Sequence, residues 1–251
     1  MFGKIIGTGS YIPEKIVSNE DISSIVDTTE QWIEERTGIY NRHIMNEETT
    51  SDMAVYASKK AIENAKIDPM DIDMIVVSSV SSNLILPNTA CYVQKEIGAE
   101  NASCIDLNSA CTGFIMAYNM VQSYINLGLV KTALIIGTEG LSKLVDWSDR
   151  GTCILFGDGA GAAIVQEDKN AKFDTVMFAD GSGGKSLYME NDFATRTNPF
   201  LEQSPIKKDN YIEMDGQQVF RFAVKQVPDG INKLMEKMNI KTQYILIAKK
   251  I

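Results

Sequence analysis

The stretch Cys104-Ile-Asp-Leu-Asn-Ser-Ala-Cys111-Thr-Gly-Phe114 decides both the fold and the chemistry that this sequence predicts. An apolar run typical of a β-strand leads into small turn residues, and a long amphipathic segment follows them. This order predicts a strand over Ser103–Leu107 and a helix over Cys111–Leu127, with the Cys111 thiol in the first turn of the helix. Free N–H groups and the positive end of the helix dipole favour a thiolate there, and a thiolate is a usable nucleophile.

Apolar runs alternate with segments of helical spacing on both sides of this stretch, which predicts an α/β fold with layered helices and parallel strands. The further strands are predicted at Lys4–Ser10, Met74–Val80 and Thr132–Gly137, and the further helices at Ser51–Lys66, Thr89–Ile97 and Gln217–Met238.

Three local patterns add detail to this prediction. Thr28-Thr-Glu-Gln31 is typical of a capping box ahead of a short helix that carries Trp32. The run Cys153–Val165 predicts two apolar strands around a Gly-rich turn, and it lacks the Lys-Ser/Thr of a phosphate loop. The polar stretch from Gly181 to Asn210 predicts an excursion over the surface.

The composition is that of a globular protein and excludes several classes of function. Of the 251 residues, 44 % are hydrophobic, and the net charge of −9 argues against nucleic-acid binding as the main function. No apolar run approaches the ~20 residues that span a bilayer, and no signal peptide is recognisable, so we expect a soluble cytoplasmic protein.

The cysteines predict free thiols and no metal site. No pair has C-x-x-C spacing and no His lies beside them, which makes zinc binding improbable. Except for Cys111, each is interpreted as a small buried hydrophobic residue; the set is Cys91, Cys104, Cys111 and Cys153.

A weak internal repeat links the two ends of the chain. Residues 61–80 read as a helix end, Lys66-Ile-Asp and an apolar strand, and residues 234–248 read as a helix end, Asn239-Ile-Lys and a second apolar strand. If the two are equivalent, the second copy stops where the first continues, and the chain looks incomplete. A repeat of this length could also be coincidence.

Seven motifs in order make the chain resemble the β-ketoacyl-acyl-carrier-protein synthase III (initiating) family of the thiolase-like superfamily. A single motif would be weak, but the ordered set over residues 1 to 240 is strong. The motifs are Gly7-Thr-Gly-Ser-Tyr-Ile-Pro13, Asp27-Thr-Thr-Glu-Gln-Trp-Ile33, Arg36-Thr-Gly-Ile39, Glu48-Thr-Thr-Ser-Asp-Met-Ala54, Asp106–Phe114, Asp149–Gly161 and Gly216-Gln-Gln-Val-Phe-Arg-Phe-Ala-Val224.

The resemblance implies a five-layered αβαβα fold of two similar halves. Residues 1–170 would form a complete N-terminal half and residues 171–251 a partial C-terminal half. It implies a homodimer without cofactor or metal, whose substrates are an acyl-CoA, typically acetyl-CoA, and malonyl-acyl carrier protein. The acyl group is first transferred to the Cys, and malonyl then loses CO2 and attacks the acyl-enzyme.

The resemblance also implies roles for individual residues. Cys111 falls on the nucleophile, and Trp32 and Arg150 fall on the pair that sandwiches the adenine of CoA. Ordinary core packing for Trp32 and a surface ion pair for Arg150 are the alternatives. Thr28 falls on a residue that supports the adenine, Arg36 and Gly216 fall on the CoA channel, and Leu86-Pro87 is interpreted as pocket wall. Arg221 falls on a residue that docks the carrier protein, and a solvated surface charge is the equally weighted alternative.

The chain departs from the family after Thr242. Family members carry a catalytic His in a His-Gln-Ala-Asn stretch and an Asn in a Gly-Asn-Thr-Ser stretch, which stabilise the carbanion formed on decarboxylation. The printed sequence has neither, and the resemblance places its one His, His43, away from the nucleophile. Truncation or a frameshift is the simplest explanation. Three hypotheses stay open: an active synthase, a remnant that binds CoA thioesters or is acylated without condensing, and a defective subunit paired with an intact one.

Overall fold

The computed structural model describes residues 1–191 and 210–240, and the structural statements below refer to those ranges. Contacts divide the chain into two compact units, Met1–Phe173 and Asp174–Ile251, and each is described by itself. The division into two thiolase-like halves at residue 170 stays a prediction.

The first unit contains most of the regular structure. Its strands are β1 (Phe2–Tyr11), β2 (Lys15–Ser18), β3 (Asn41–Ile44), β4 (Met74–Ser78), β5 (Ser103–Leu107), β6 (Thr132–Gly140) and β7 (Asp158–Asp168). Its helices are α1 (Asn19–Ser23), α2 (Glu30–Thr37), α3 (Thr50–Ala65), α4 (Thr89–Ile97), α5 (Gly113–Asn126) and α6 (Arg150–Cys153), with 3-10 turns at Pro69–Asp71, Ala110–Thr112 and Leu141–Lys143.

Five strands form one mixed sheet in the order β1-β7-β6-β4-β5, and β2 pairs with β3 in a separate ribbon. The α/β class is confirmed. Parallel pairing is confirmed only for β4 with β5 and β6, where α4 and α5 supply the crossovers. Strand β7 runs antiparallel to both β1 and β6, so the sheet is mixed and the expected parallel pairing does not extend to β1 and β7.

Helices cover both faces of this sheet, and β4 is buried throughout. On one face α3 and α4 pack in a cluster that includes Met53, Ile75 and Leu134, and on the other α5 packs in a cluster that includes Val121 and Ile135. A continuous apolar strand is what burial on two faces requires.

Helix α3 approaches β1 closely because β1 carries glycine at the contact. A Cβ added at Gly9 would lie 2.2 Å from the Ala57 carbonyl oxygen and 2.4 Å from the Ala61 nitrogen. The helix backbone therefore rests directly on the strand, and a side chain at this position would force the two elements apart.

The predicted hairpin over Cys153–Val165 was wrong. Asp149 caps α6 by accepting from the Gly151 N–H at 2.8 Å, so Cys153 ends a helix. The glycines and alanines that follow lie inside β7, which is paired along both edges and therefore cannot turn back. Asp158 anchors the start of β7, because its carboxylate accepts from the Met45 N–H at 2.8 Å.

The helix that carries Trp32 also begins differently from the prediction. Its N-cap is Thr29, whose hydroxyl accepts from the Trp32 N–H at 3.1 Å, so the capping box at Thr28 was wrong by one residue. A capping box is present at the start of α3 instead, between Thr49 and Asp52.

The second unit contains a 3-10 turn (Gly181–Ser186), β8 (Leu187–Tyr188), β9 (Glu213–Met214) and α7 (Gly216–Met238). The Asp215 side chain caps α7, and Pro228 lies within the helix. Most of the predicted polar excursion and the predicted strand at 244–248 lie outside the described residues. Within the described ranges, no helix combines the length and apolar character needed to cross a membrane.

Candidate active site

Cys111 lies in the 3-10 turn between β5 and α5, two residues before the α-helix begins, and not in its first turn as predicted. The residue is exposed. The preceding Ala110 has φ of +43°, in the left-handed region that residues with a Cβ rarely adopt. This turn sets the thiol at the surface, directly ahead of the helix.

At the start of α5 the Gly113 N–H donates to the Ala110 carbonyl oxygen, and the helix lacks a side-chain cap. Its N-cap, Thr112, makes no side-chain capping bond to the helix. Gly113 follows, and a Cβ there would lie 1.7 Å from the Ser78 Oγ at the end of β4. The helix therefore begins against the carboxyl end of a parallel strand, where free N–H groups can stabilise negative charge.

Asp106, within the same motif, holds the neighbouring helix. Its carboxylate accepts from the Thr89 N–H at 2.7 Å and from the Ala90 N–H at 2.8 Å, while Asn88 caps the next turn through the Cys91 N–H at 2.9 Å. The end of β5 thereby fixes the start of α4, and Asp106 has a structural role that its place beside Cys111 did not reveal.

A second carboxylate, Glu139 near the end of β6, holds the segment that follows β4. It accepts from the Val80 N–H at 3.0 Å and from the Ser81 hydroxyl, and that hydroxyl accepts from the Gly140 N–H at 2.7 Å. Burial raises the pKa of the Glu139 carboxyl above its ordinary value, and these hydrogen bonds only partly offset the rise. Nothing in the local sequence pattern marks this residue as part of the site.

The other cysteines are less exposed than Cys111, and burial raises the thiol pKa of two of them. Burial, with Cys91 beside it, raises the pKa of Cys104 to about 12. Burial also raises the pKa of Cys153, which is fully buried. The prediction of a buried residue is confirmed for Cys153, whereas Cys91 and Cys104 are only partly buried.

Three of the residues implied by the resemblance meet at one place in the first unit. The Arg150 Cζ lies 4.9 Å from the centroid of the Trp32 ring, and the Arg36 Cζ lies 5.9 Å from the same centroid. Arg150 also donates from Nη1 to the Asp27 carbonyl oxygen at 3.0 Å. Thr28, the next residue along the chain, has a buried Oγ1 without a hydrogen-bond partner among the described residues.

Two further residues implied by the resemblance belong to the second unit. Gly216 is the first residue of α7, and Arg221 is exposed one turn and a half further along the same helix. Leu86, interpreted as pocket wall, belongs to the first unit and is 88 % exposed.

A buried apolar cluster joins the segment 15–44, hereafter the N-terminal excursion, to the chain around α6. It contains Ile22 and Ile33 from the excursion and Cys153 and Ile154 from the end of α6, with Trp32 packed against it. The buried Arg42 crosses the same boundary by a hydrogen bond to the Ile154 carbonyl oxygen at 2.8 Å. Arg42 was not predicted from the sequence, because nothing in the local pattern marks a buried arginine.

Comparison with known proteins identifies a common family. A family described as 3-Oxoacyl-[acyl-carrier-protein (ACP)] synthase III matches residues 105–185. A β-ketoacyl-acyl-carrier-protein synthase III from Clostridium acetobutylicum is 49 % identical over 235 residues, which cover 93 % of this chain and 71 % of that protein.

Solved structures give the same result. The crystal structure of 3-oxoacyl-acyl-carrier-protein synthase III from Aquifex aeolicus superposes with a TM-score of 0.87 at 37 % identity, over 97 % of this chain and 74 % of that one. The synthase III structure from Thermus thermophilus superposes with a TM-score of 0.85 at 34 % identity, over 96 % and 74 % of the two chains. The thiolase-like fold class is thereby confirmed.

Proposed function

Since the chain belongs to the β-ketoacyl-acyl-carrier-protein synthase III family, we propose that it is an acyltransferase of fatty-acid initiation. In this function Cys111 takes the acyl group of an acyl-CoA, typically acetyl-CoA, and the acyl-enzyme is the electrophile for malonyl-acyl carrier protein. The observation that carries the proposal is the exposed Cys111 thiol ahead of an α5 start whose N–H groups lack a side-chain cap.

The acylation step needs only groups that surround Cys111. Its thiolate sulfur attacks the thioester carbonyl carbon, and a tetrahedral oxyanion forms. Backbone N–H groups at the start of α5 can donate to that oxyanion. The intermediate collapses as the bond between the carbonyl carbon and the CoA sulfur breaks, and the departing CoA thiolate takes up the proton that the Cys111 thiol released. One thioester replaces another, so the step needs no metal or redox partner.

The Trp32–Arg150 pair supports a site for the adenine of CoA. A base held between an indole and a guanidinium needs about 7 Å between them, because each stacking contact takes about 3.5 Å. The Arg150 Cζ lies 4.9 Å from the Trp32 centroid, so Arg150 must swing outward to admit the base. Its exposed position and single hydrogen bond to Asp27 allow that movement. The unpartnered Thr28 Oγ1 offers the base a hydrogen bond.

The resemblance implies a histidine in the condensation step, and the printed sequence contains one histidine. The one His, His43, lies on β3, and its Nδ1 is 2.6 Å from the Pro13 carbonyl oxygen, which occupies that ring nitrogen. We therefore propose that His43 takes no part in condensation, and that the residues around Cys111 carry the acyl-transfer step.

Two features support the proposed partners. Arg221 is exposed on α7 and offers a positive charge to an acidic carrier protein. Strand β5 is one of the two edge strands of the five-stranded sheet, and one of its sides is unpaired within the described residues. A second copy pairing along β5 would cover that side, as expected for a homodimer.

The test follows the mass of the protein in two steps. Incubation with acetyl-CoA is expected to add one acetyl group, located on the Cys111 peptide and absent from Cys111→Ala. Malonyl-acyl carrier protein is then added and the ketoacyl product is measured. Absence of acetylation in the intact protein would sink the acyltransferase proposal, and product formation that His43→Ala abolishes would overturn the exclusion of His43 from condensation.

The second candidate function is a subunit that pairs with an intact synthase, and the occupied His43 favours it over independent condensation. Co-expression with an intact relative distinguishes the two. A mixed dimer in which Cys111 is acetylated, while the intact partner alone forms product, would support this second function.

A further inference from the structure

Arg42 is a buried cation that the proposed chemistry does not use. Its side chain on β3 is 4 % exposed. The guanidinium donates to neutral acceptors: Nη1 to the Asn19 Oδ1 at 3.0 Å and the Val17 carbonyl oxygen at 3.5 Å, and Nη2 to the Ile154 carbonyl oxygen at 2.8 Å. Nε has no partner among the described residues. Burying a guanidinium without a carboxylate costs free energy, so a buried arginine at this position needs a structural explanation.

The Arg42 hydrogen bonds join two parts of the chain that are far apart in sequence. Val17 and Asn19 belong to the N-terminal excursion, whereas Ile154 is the C-cap of α6. The carbonyl groups at the end of a helix lack partners within it, and Arg42 supplies one of them with a donor. Asn19 is itself held by donating to the Ile39 carbonyl oxygen at 2.8 Å.

These two parts carry the two halves of the proposed adenine site. Trp32 lies on α2 within the excursion, and Arg150 is the first residue of α6. We propose that Arg42 is a positioning residue for this site, which fixes α6 against the N-terminal excursion so that Trp32 and Arg150 face each other across the adenine of CoA. This inference rests on the function proposed above.

The geometry explains why a guanidinium is needed at this place. The apolar cluster around Ile22 and Ile154 holds the two parts together, but apolar contacts have little direction and allow α6 to slide or rotate. A planar guanidinium that donates to both sides at once fixes distance and orientation. A lysine ammonium at position 42 is a single point donor and cannot span both acceptors in the same way.

The test separates a positioning role from a role in stability alone. Cys111 acetylation is followed by mass with two donors: acetyl-CoA, and S-acetyl-N-acetylcysteamine, which carries the same thioester without adenosine. For Arg42→Lys we expect the efficiency with acetyl-CoA to fall by about tenfold, less than the ~100-fold that a misplacement of roughly 1 Å can cost. The loss should appear in KM, while acetylation at saturating acetyl-CoA and with the cysteamine thioester stays within about twofold.

Three further variants complete the experiment. Trp32→Ala removes one face of the adenine site and should lose the preference for acetyl-CoA. Asn19→Ala leaves Arg42 intact but removes one acceptor, so it should show a smaller loss of efficiency with acetyl-CoA. It replaces Arg42→Lys in the test if that variant does not fold. Gln122→Met is the matched control, because Gln122 is buried and bonded to Gly3 outside the N-terminal excursion. It should keep the preference.

The outcomes distinguish this inference from the proposed function. Equal losses with both thioesters in Arg42→Lys and Asn19→Ala would reduce Arg42 to a structural residue and overturn the inference. A preference lost in Trp32→Ala but kept in both of those variants would overturn it as well, with the proposed function intact. An unaltered protein that shows no preference for acetyl-CoA would overturn the proposed adenine site and the inference together.

Discussion

Cys111 differs from the other cysteines in its exposure, and a thiol-alkylating reagent can detect this difference. It is exposed and follows a residue with positive φ, whereas burial raises the pKa of Cys153 and raises that of Cys104 to about 12. Iodoacetamide reacts with thiolates, so at mildly alkaline pH we expect Cys111 to be alkylated well before either of them.

Peptide mass spectrometry after brief labelling measures this order, and Cys111→Ser gives the background. Labelling of Cys153 in the folded protein at a rate comparable to Cys111 would contradict the prediction. Denatured protein, in which all four thiols should react, serves as the control for digestion and recovery.

Glu139 makes stability depend on pH in a defined direction. Burial raises its folded-state pKa above the ordinary value of 4.5. Between the unfolded and the folded pKa the native state holds more protons than the unfolded state, so the free energy of unfolding falls as pH rises through that interval. For Glu139→Gln we expect this part of the decrease to disappear.

Denaturant unfolding at several pH values, from 4.5 upward, measures the slope for both proteins. Asp71→Asn is a suitable control, because Asp71 is exposed and its carboxylate makes no hydrogen bond or ion pair within the described part of the chain. Identical slopes for Glu139→Gln and the unaltered protein would refute the assignment of this effect to Glu139.

Among the elements, α4 depends on a carboxylate from outside the helix. Asp106 receives the N–H groups of Thr89 and Ala90, the first two residues of α4. Losing a side-chain acceptor at a helix N-terminus costs about 1–2 kcal/mol, and we expect Asp106→Ala to lower the free energy of unfolding by that amount. Asp71→Ala should change it by less than about 0.5 kcal/mol. Chemical denaturation checks both, and equal effects would argue against the capping role.

Elements with strong local signals were predicted well from sequence. The bounds of α4 and β5 match the prediction, because Asn88 and Gly98 mark the ends of α4 and an apolar run marks β5. The start of β7 was wrongly predicted as a turn, because its glycines and alanines are locally those of a turn. What makes them a strand is pairing with β1 and β6, and a local pattern contains no information about distant partners.

The candidate site divides in the same way. Cys111 follows from a local strand-turn-helix pattern, whereas Trp32 and Arg150 are separated by more than a hundred residues, and only the family resemblance joined them. Neither the local sequence pattern nor the family resemblance pointed to Glu139 or Arg42. Each is a charged residue within a strand, and its role is visible only once the groups that surround it in space are known.

For the whole molecule, net charge opposes the proposed carrier protein. The chain carries −9 and that partner is acidic, so association depends on local positive charge such as Arg221. For Arg221→Glu we expect binding to malonyl-acyl carrier protein to weaken by about three- to tenfold at low salt, with the difference shrinking as salt rises.

Titration calorimetry at two salt concentrations measures this effect. Lys233→Glu makes the same change of charge about three turns further along α7, and it separates a local contact from the effect of net charge. Equal weakening by the two variants, or a loss that salt leaves unchanged, would exclude Arg221 as a docking residue.

The strand order also bears on how the protein is made. Strand β1 leaves the ribosome first, yet its partner in the sheet is β7, the last strand of the first unit to be synthesised. About 150 residues separate them, which at about 5–20 residues per second is on the order of 10–30 s of translation. Throughout that delay β1 lacks its partner strand β7. A pause or slow codons upstream of β7 would lengthen its exposure to chaperones and to neighbouring nascent chains.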